Sequence, residues 1–357
     1  MRFLTGFPGF LGSALAPRLL ARDDAGLVCL VQPRWRALAE TRAREIEREA
    51  GRPGAIRLVD GDLTRPDLGL GDGYDALRAS VREVYHLAAV YDLGVEAGLA
   101  ERVNVDGTRH VLRFIGGTGA RLHYVSTCYV SGRHAGAFSE DDLDVGQAFY
   151  NHYERTKYQA ELDVRAAMAA GLATTVYRPS IVVGDSRTGA TQKYDGPYAI
   201  VRWLLRWRGA APLPVFGDPS RAFVNLVPQD FVIDALDALS RRADTTGATF
   251  ALADPAPLTV AGLLGVLERA TGRRTLRLAL PRPLAEGALR TLPALARWMG
   301  IAPDALPYFA HPARYSTARA SAFLAREGIT CPPFASYADR LVAYVRAHPD
   351  VSTEAMV

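Results

Sequence analysis

Through the first half of the chain, short runs that are apolar at nearly every position alternate with longer stretches of helical period. The runs RFLT, LVCLV, IRLVD, EVYHLAA, LHYVST and TTVYRPS predict six strands. Between them FLGSALAPRLLA and residues 34–50, 101–115 and 149–170 carry apolar positions at helical spacing. Strands apolar on both faces are expected where helices cover both sides of a sheet. The alternation predicts parallel βαβ units and an α/β fold: a Rossmann-type, doubly wound parallel sheet.

After about residue 180 the pattern changes. Proline and glycine become dense, and VAGLLGVLERATG, PLAEGALRTLPALARWMG and SYADRLVAYVRAH read as helices of a smaller, mostly helical region. A chain of 357 residues is long for one core. The expected division is a dinucleotide-binding domain over residues 1–180 and a substrate domain over 181–220 and 256–357. The segment RAFVNLVPQDFVIDAL, within 221–255, is expected to return the chain to the large domain.

Composition narrows the function. Net charge is only +4 and the arginines are scattered, which argues against a nucleic-acid interface. Cys29, Cys128 and Cys331 lie far apart with no CxxC or Cys/His ligand spacing, so neither a disulfide framework nor a metal site is expected. No apolar stretch reaches bilayer length and no leader pattern opens the sequence, so a cytoplasmic protein is expected. Oligomeric state is left open.

The first strand runs directly into TGFPGFLG, which places Gly6, Gly9 and Gly12 at the start of a helix. Phe7, Pro8, Phe10 and Leu11 complete the loop. Glycines here permit a tight turn and close approach of a pyrophosphate, which helix-start N–H groups then hold. At the end of the second strand Gln32 stands where an acid would bind a ribose 2′-hydroxyl, and Arg34 and Arg36 follow. Arginine suits a 2′-phosphate, so NADP(H) is expected over NAD(H); the alternative is that the arginines solvate the next helix. Asp62 and Leu63 follow the third strand, where they would flank the adenine. Leu87, Ala88 and Ala89 follow the fourth, where small residues let the cofactor pass.

Only two of the 42 cationic residues are lysines, Lys157 and Lys193. Lys157 lies four residues after Tyr153 on a predicted helix, so both project from one face. An ammonium beside a phenol favours the phenolate, and about two units of acidification needs roughly 2.7 kcal/mol. Thr127, or its neighbour Ser126, at the end of the fifth strand is placed to hold a substrate carbonyl. Lys193 reads either as a loop lysine in solvent or as a contact for a carrier or CoA phosphate. Trp203, Leu204 and Trp207 read either as an apolar channel or as interdomain packing. Asn225 and Arg221 read as substrate-facing or as caps of the returning strand. Cys128 and His86 read as packed core residues.

The ordered set TGFPGFLG, HLAA, NVDGT, VSTCYVSG, YERTK and YRPSIVVG, over about residues 1–230, resembles the extended short-chain dehydrogenases/reductases. Within that superfamily it is most similar to the branch of fatty acyl-CoA reductases and the thioester reductase domains of carboxylic acid reductases. The resemblance implies Thr127 as the carbonyl-binding hydroxyl, Tyr153 as the acid/base and Lys157 as its lysine. It implies Asn104 as a support for the lysine through water, and Pro179, Ile181 and Val182 as the wall beside the nicotinamide. It also implies NADPH-dependent reduction of a carbonyl or acyl thioester, the acyl group arriving on CoA or an acyl carrier protein. A steroid-like or sugar-nucleotide dehydrogenase or epimerase is the rival within the superfamily.

Overall fold

The computed structural model describes residues 1–92, 94–215, 218–279, 308 and 311–352. Seven strands form one parallel sheet: β1 (Arg2–Thr5), β2 (Leu27–Val31), β3 (Ile56–Asp60), β4 (Glu83–His86), β5 (Arg121–Val125), β6 (Thr174–Pro179) and β7 (Thr249–Leu252). Their order across the sheet is β3-β2-β1-β4-β5-β6-β7. The direction of winding reverses between β1 and β4, where Thr5 lies opposite His86. Connections leave the sheet on opposite faces there, which opens a crevice at the carboxyl ends of the strands. Six of the strands are those the apolar runs predict. The seventh, TFAL, was expected only as part of the returning segment.

Both faces of the sheet are covered. One apolar layer gathers Leu4, Leu15, Leu19, Tyr85 and Phe250; the other gathers Phe3, Leu30, Phe114, Leu122 and Val176. The returning segment forms the helix Gln229–Ser240, which lies against the helix Phe10–Leu20. Arg18 pairs with Asp234, and Arg22 reaches Asp237 at 2.8 Å. The chain comes back to the large layer a second time, which the single 256–357 boundary did not anticipate. The helix Ala318–Ala325 seats Ala320 and Leu324 in the same layer as Leu15, and Phe323 stands edge-on to Phe250 at 5.3 Å. Glu140 caps this helix, accepting the backbone N–H groups of Arg319 and Ala320 at 2.7 and 2.9 Å. The cause is long-range: Glu140 and that helix lie far apart in the chain.

A separate apolar cluster joins Tyr198, Trp203, Leu204, Leu264, Tyr337 and Leu341. Trp203 packs edge-on to Trp207 at 5.6 Å and donates Nε1–H to the carbonyl of Pro212 at 2.8 Å. These tryptophans and Leu204 are packing of the second region. The expected helix PLAEGALRTLPALARWMG lies outside the described residues.

Beneath the carboxyl ends of β5 and β6, Glu161 and Arg178 form a fully buried pair at 2.6 Å. Burial pushes the Glu161 carboxyl up, but the Arg178 guanidinium outweighs it and holds the pKa below the usual range. A depressed carboxylate contributes stability that is present above the unfolded pKa and lost as pH falls through the folded one. Removing one partner leaves the other charge buried and unpaired. Glu161→Gln is therefore expected to destabilise the fold by about 3–5 kcal/mol, measured by urea unfolding at neutral pH.

Candidate active site

The glycine loop is built by close approach of backbone to backbone. Gly6 has φ +91°, and a Cβ there would lie 2.8 Å from the Ala88 nitrogen. A Cβ on Gly12 would fall onto the Gly6 carbonyl oxygen. That oxygen already accepts the Gly9 N–H at 3.0 Å, so the loop is closed on itself. Ser13 ties the loop down by donating its hydroxyl to the Pro8 carbonyl at 2.8 Å, and Gln229 donates to Phe10 at 2.7 Å. Phe7 is buried in the layer with Leu15, while Leu11 packs on its edge. The loop is bare of side chains where a pyrophosphate would approach the start of the helix Phe10–Leu20, so it fits a dinucleotide.

Across the crevice, Leu87 and Ala88 bond to β1: the Leu87 N–H reaches the Thr5 carbonyl at 3.3 Å and the Ala88 N–H reaches the Thr5 hydroxyl at 3.2 Å. Ala89 is half-buried beside them. At the end of β2 the Arg34 guanidinium donates to Gln32 at 2.6–2.8 Å. Arg36 differs, since Asp60 at 3.0 Å and Glu40 at 2.9 Å already balance its charge. Asp62 turns back on its own loop, accepting the N–H and hydroxyl of Thr64 at 2.8 Å each. Leu63 is buried with Leu30 and Phe114, and its carbonyl is bonded to the His110 ring at 2.7 Å.

Tyr153 sits in the first turn of the helix His152–Ala169. The Asn151 side chain caps that helix at the Glu154 N–H, 3.0 Å away, and Glu154 in turn accepts the Tyr150 N–H at 2.9 Å. This reciprocal cap fixes the first turn. The Tyr153 phenol lies close enough to the Thr127 hydroxyl to be stabilised by it. Thr127 also accepts the Tyr129 N–H at 3.2 Å and donates to the Pro179 carbonyl at 3.4 Å. Lys157, one turn on, is buried, and its amine donates to the Tyr124 hydroxyl at 3.0 Å and the Val125 carbonyl at 2.9 Å. Thr127, Tyr153 and Lys157 are thus gathered at the carboxyl end of β5.

The electrostatics differ from the sequence expectation. Burial pushes the Tyr153 phenol up to about 12, only partly offset by Thr127, and Lys157 contributes no acidification. Burial also lowers the Lys157 amine to about 7, against the pull of the Glu161 carboxylate. Desolvation sets the sign of the shift at both groups in this arrangement.

The other expected residues divide. Ser126 is buried and faces the Glu161 carboxylate, below the site. Asn104 lies in a π-helical turn, Glu101–Asp106, and clasps both backbone groups of Val90 at 2.9 and 3.0 Å while donating to Thr156 at 3.0 Å. Ile181 and Val182 stand half-buried in a short strand, Ile181–Val183, beside Leu226–Pro228. Asn225 caps the returning strand, exchanging 2.8–2.9 Å bonds with the backbone of Asp254, and Arg221 is exposed. Lys193 is not in open solvent: its side chain is largely covered, pairs with Asp195 at 3.1 Å and lies 4.8 Å from the Tyr91 ring centre. Cys128 is buried and burial pushes its thiol up, so it is packed and not nucleophilic.

Sequence reasoning missed an aromatic wall. Tyr129 stands edge-on to Tyr308 at 4.8 Å and to His311 at 5.0 Å. The Tyr308 hydroxyl donates to Glu154 at 2.5 Å, and burial pushes the Glu154 carboxyl up to about 7. A cleft beside this wall is lined by Tyr129, Phe223, Asn225, His311, Arg314 and Tyr315. Only the run of tyrosines in VSTCYVSG and YNHYE signalled it. Among the described residues, no cluster of three or more His, Cys, Asp or Glu is placed to hold a metal, and no helix is long and apolar enough to cross a membrane.

Residues 4–236 match the NAD-binding family described as male sterility protein. The chain belongs to that family. It is an NAD(P)H-dependent oxidoreductase of the extended short-chain dehydrogenase/reductase type. Among solved structures, the terminal R domain from the myxalamid PKS-NRPS biosynthetic pathway superposes with a TM-score of 0.83 at 27% identity, covering 98% of this chain and 92% of that one. A UDP-glucuronic acid 4-epimerase from Bacillus cereus in complex with NAD shares the fold, with a TM-score of 0.69 at 18% identity over 100% and 99% of the two chains. A linear gramicidin synthase polypeptide of Brevibacillus parabrevis is 31% identical over 74% of this chain. The L-2-aminoadipate reductase large subunit of Penicillium chrysogenum is 28% identical over 70%. The chain spans only 5% and 19% of those two relatives.

Proposed function

We propose that this reductase uses NADPH to reduce an acyl thioester to an aldehyde, the acyl group being held on a carrier domain or on CoA. The observation that carries the reading is the convergence of the Thr127 and Tyr153 hydroxyls with the Lys157 amine beside the glycine loop. Similarity to an R domain of a PKS-NRPS pathway, and to peptide synthetase and aminoadipate reductase sequences, favours a carrier-held acyl group over a free fatty acyl-CoA.

When bound, the cofactor supplies a hydride to the thioester carbonyl carbon. Thr127 donates a hydrogen bond to the carbonyl oxygen and orients it. Tyr153, a phenol kept protonated by burial, gives its proton to that oxygen as the carbon–oxygen π pair moves onto it. Once the substrate oxygen carries its own proton, the Thr127 hydroxyl turns to the phenolate left behind and stabilises it. The resulting hemithioacetal loses its hydroxyl proton, its carbon–sulfur bond breaks, and the sulfur leaves as a thiol. A second hydride transfer to the aldehyde would give the alcohol. The high phenol pKa suits this direction, because the acid must be neutral when the oxygen needs its proton.

The test is product analysis by mass after mixing protein and NADPH with acyl-CoAs, acyl-loaded carrier domains, free aldehydes and sugar nucleotides. Aldehyde or alcohol from a thioester supports the reading. Turnover confined to sugar nucleotides, with tightly held NAD, overturns it.

Cofactor choice falls to Arg34. Its side chain is held by a neutral amide, whereas two carboxylates balance Arg36. A charged hydrogen bond is worth about 1.5–3 kcal/mol, so Arg34→Ala is expected to raise the KM for NADPH about 10- to 150-fold and to leave that for NADH unchanged. Steady-state kinetics with both nucleotides checks this.

A further inference from the structure

The Lys157 amine is anchored by a group that none of the expected site motifs contains. Its two acceptors are the Val125 carbonyl and the hydroxyl of Tyr124, a fully buried residue of β5. An ammonium can only donate, so the Tyr124 oxygen must present a lone pair. Beside it runs a chain of buried hydrogen bonds that leads from the glycine-loop crevice to the Thr108 hydroxyl.

The chain begins at the glycine-loop crevice, where the Ala88 N–H donates to the Thr5 hydroxyl at 3.2 Å. Thr5 therefore has its own proton to give, and its neighbour is His86 Nδ1 at 2.7 Å. Burial lowers His86 to about 3, with Lys157 adding to the shift, so the ring is neutral and carries one N–H. With Nδ1 accepting, that proton sits on Nε2 and points at the Thr108 hydroxyl, 3.1 Å away. Thr108 donates its single proton to the Asn104 carbonyl at 2.6 Å. Having given its proton, Thr108 can only accept from any further neighbour, and Tyr124 lies close enough to feel it. The Tyr124 oxygen accepts from Lys157 at 3.0 Å, and Thr108 is an acceptor nearby for its proton.

We propose that Tyr124 is a positioning residue for Lys157, its oxygen oriented by this one-way chain from β1 so that the amine is held at the carboxyl end of β5 in its charged form. The proposal rests on the reading of Lys157 as the lysine of the reductase. The other titratable or charged groups around the amine are Glu161 and Tyr153 on its own helix and His86 on β4, with Glu161 itself paired to Arg178. Of these only Glu161 favours the ammonium, and its carboxylate is shared with Arg178 and Arg165.

The chain has two lysines, which makes the idea directly measurable. Lysine labelled with ¹³C at Cε gives two resonances, and Lys193→Arg assigns them. Tyr124→Phe removes the hydroxyl but keeps the ring, whose centre lies 4.5 Å from the amine. Loss of a hydrogen bond to the charged form should lower the Lys157 titration by about one pH unit. The alkaline limb of the kcat profile should move the same way and kcat should fall about tenfold. Thr108→Val, which frees Tyr124 to rotate, should shift the titration in the same direction by less, and Thr108→Ser should leave it in place. Superimposable Lys157 titrations in wild type and Tyr124→Phe overturn the proposal. If Tyr124→Phe does not fold, superimposable titrations in wild type and Thr108→Val do so. Full turnover by Lys157→Ala would instead overturn the catalytic reading of the lysine, and the resonance titration would be unaffected by that result.

Discussion

Tyr153→Phe is expected to lower kcat about 10²–10⁴-fold while the Kd for NADPH changes little. The phenol lies beside Thr127, whose described bonds are to the backbone of Tyr129 and Pro179. Removing its oxygen removes the proton that the reduced carbonyl must receive, and leaves Thr127 to hold the substrate alone. The ring itself packs with Val90, Val95 and Ala100, and phenylalanine keeps that packing. Folding should therefore be preserved, which thermal melting checks alongside a fluorescence titration with NADPH. Single-turnover kinetics isolates the chemical step. A variant that turns over at the wild-type rate would remove Tyr153 from the chemistry and with it the proposed acid.

The parts legible in the sequence were those set by local pattern. LVCLV and TTVYRPS are apolar throughout because helices cover both faces of the sheet, and that leaves a mark on every residue. The glycine loop and the Tyr153–Lys157 spacing are likewise short-range: three glycines around one turn, and two side chains one helical turn apart. What escaped depends on contacts between distant segments. TFAL is four residues long and becomes a strand because Thr249–Leu252 pairs with Val176–Pro179. Tyr308 meets Glu154 across half the chain, and nothing near either residue announces it. The bonds from Thr5 through His86 to Thr108 draw on β1, β4 and the helix Gly107–Ile115, so no spacing could reveal them. The sign of the Tyr153 shift was misjudged for a related reason. Spacing gives the distance between two charges, but burial of the pair is decided by everything packed around them.

Gly12→Ala carries the other large expected effect. The atom it adds is a single methyl, yet that methyl would lie well inside contact distance of the Gly6 carbonyl oxygen, a backbone atom that cannot swing aside as a side chain would. Either the helix Phe10–Leu20 moves away from the loop or the loop opens. Each breaks the geometry that presents N–H groups to a pyrophosphate. Overpacking of this kind costs about 1–3 kcal/mol of stability, and the helix is further held by Arg22 bound to Asp237, which resists its retreat. The strain should therefore fall on the loop, and NADPH affinity is expected to drop about 100-fold or more. Gly73→Ala is the matched comparison, because φ there is −78° and a Cβ would meet nothing within 4 Å. Titration of both variants with NADPH, together with their melting temperatures, separates loss of the cradle from loss of the fold. Equal NADPH affinity in the two would mean that the dinucleotide does not lie against this loop.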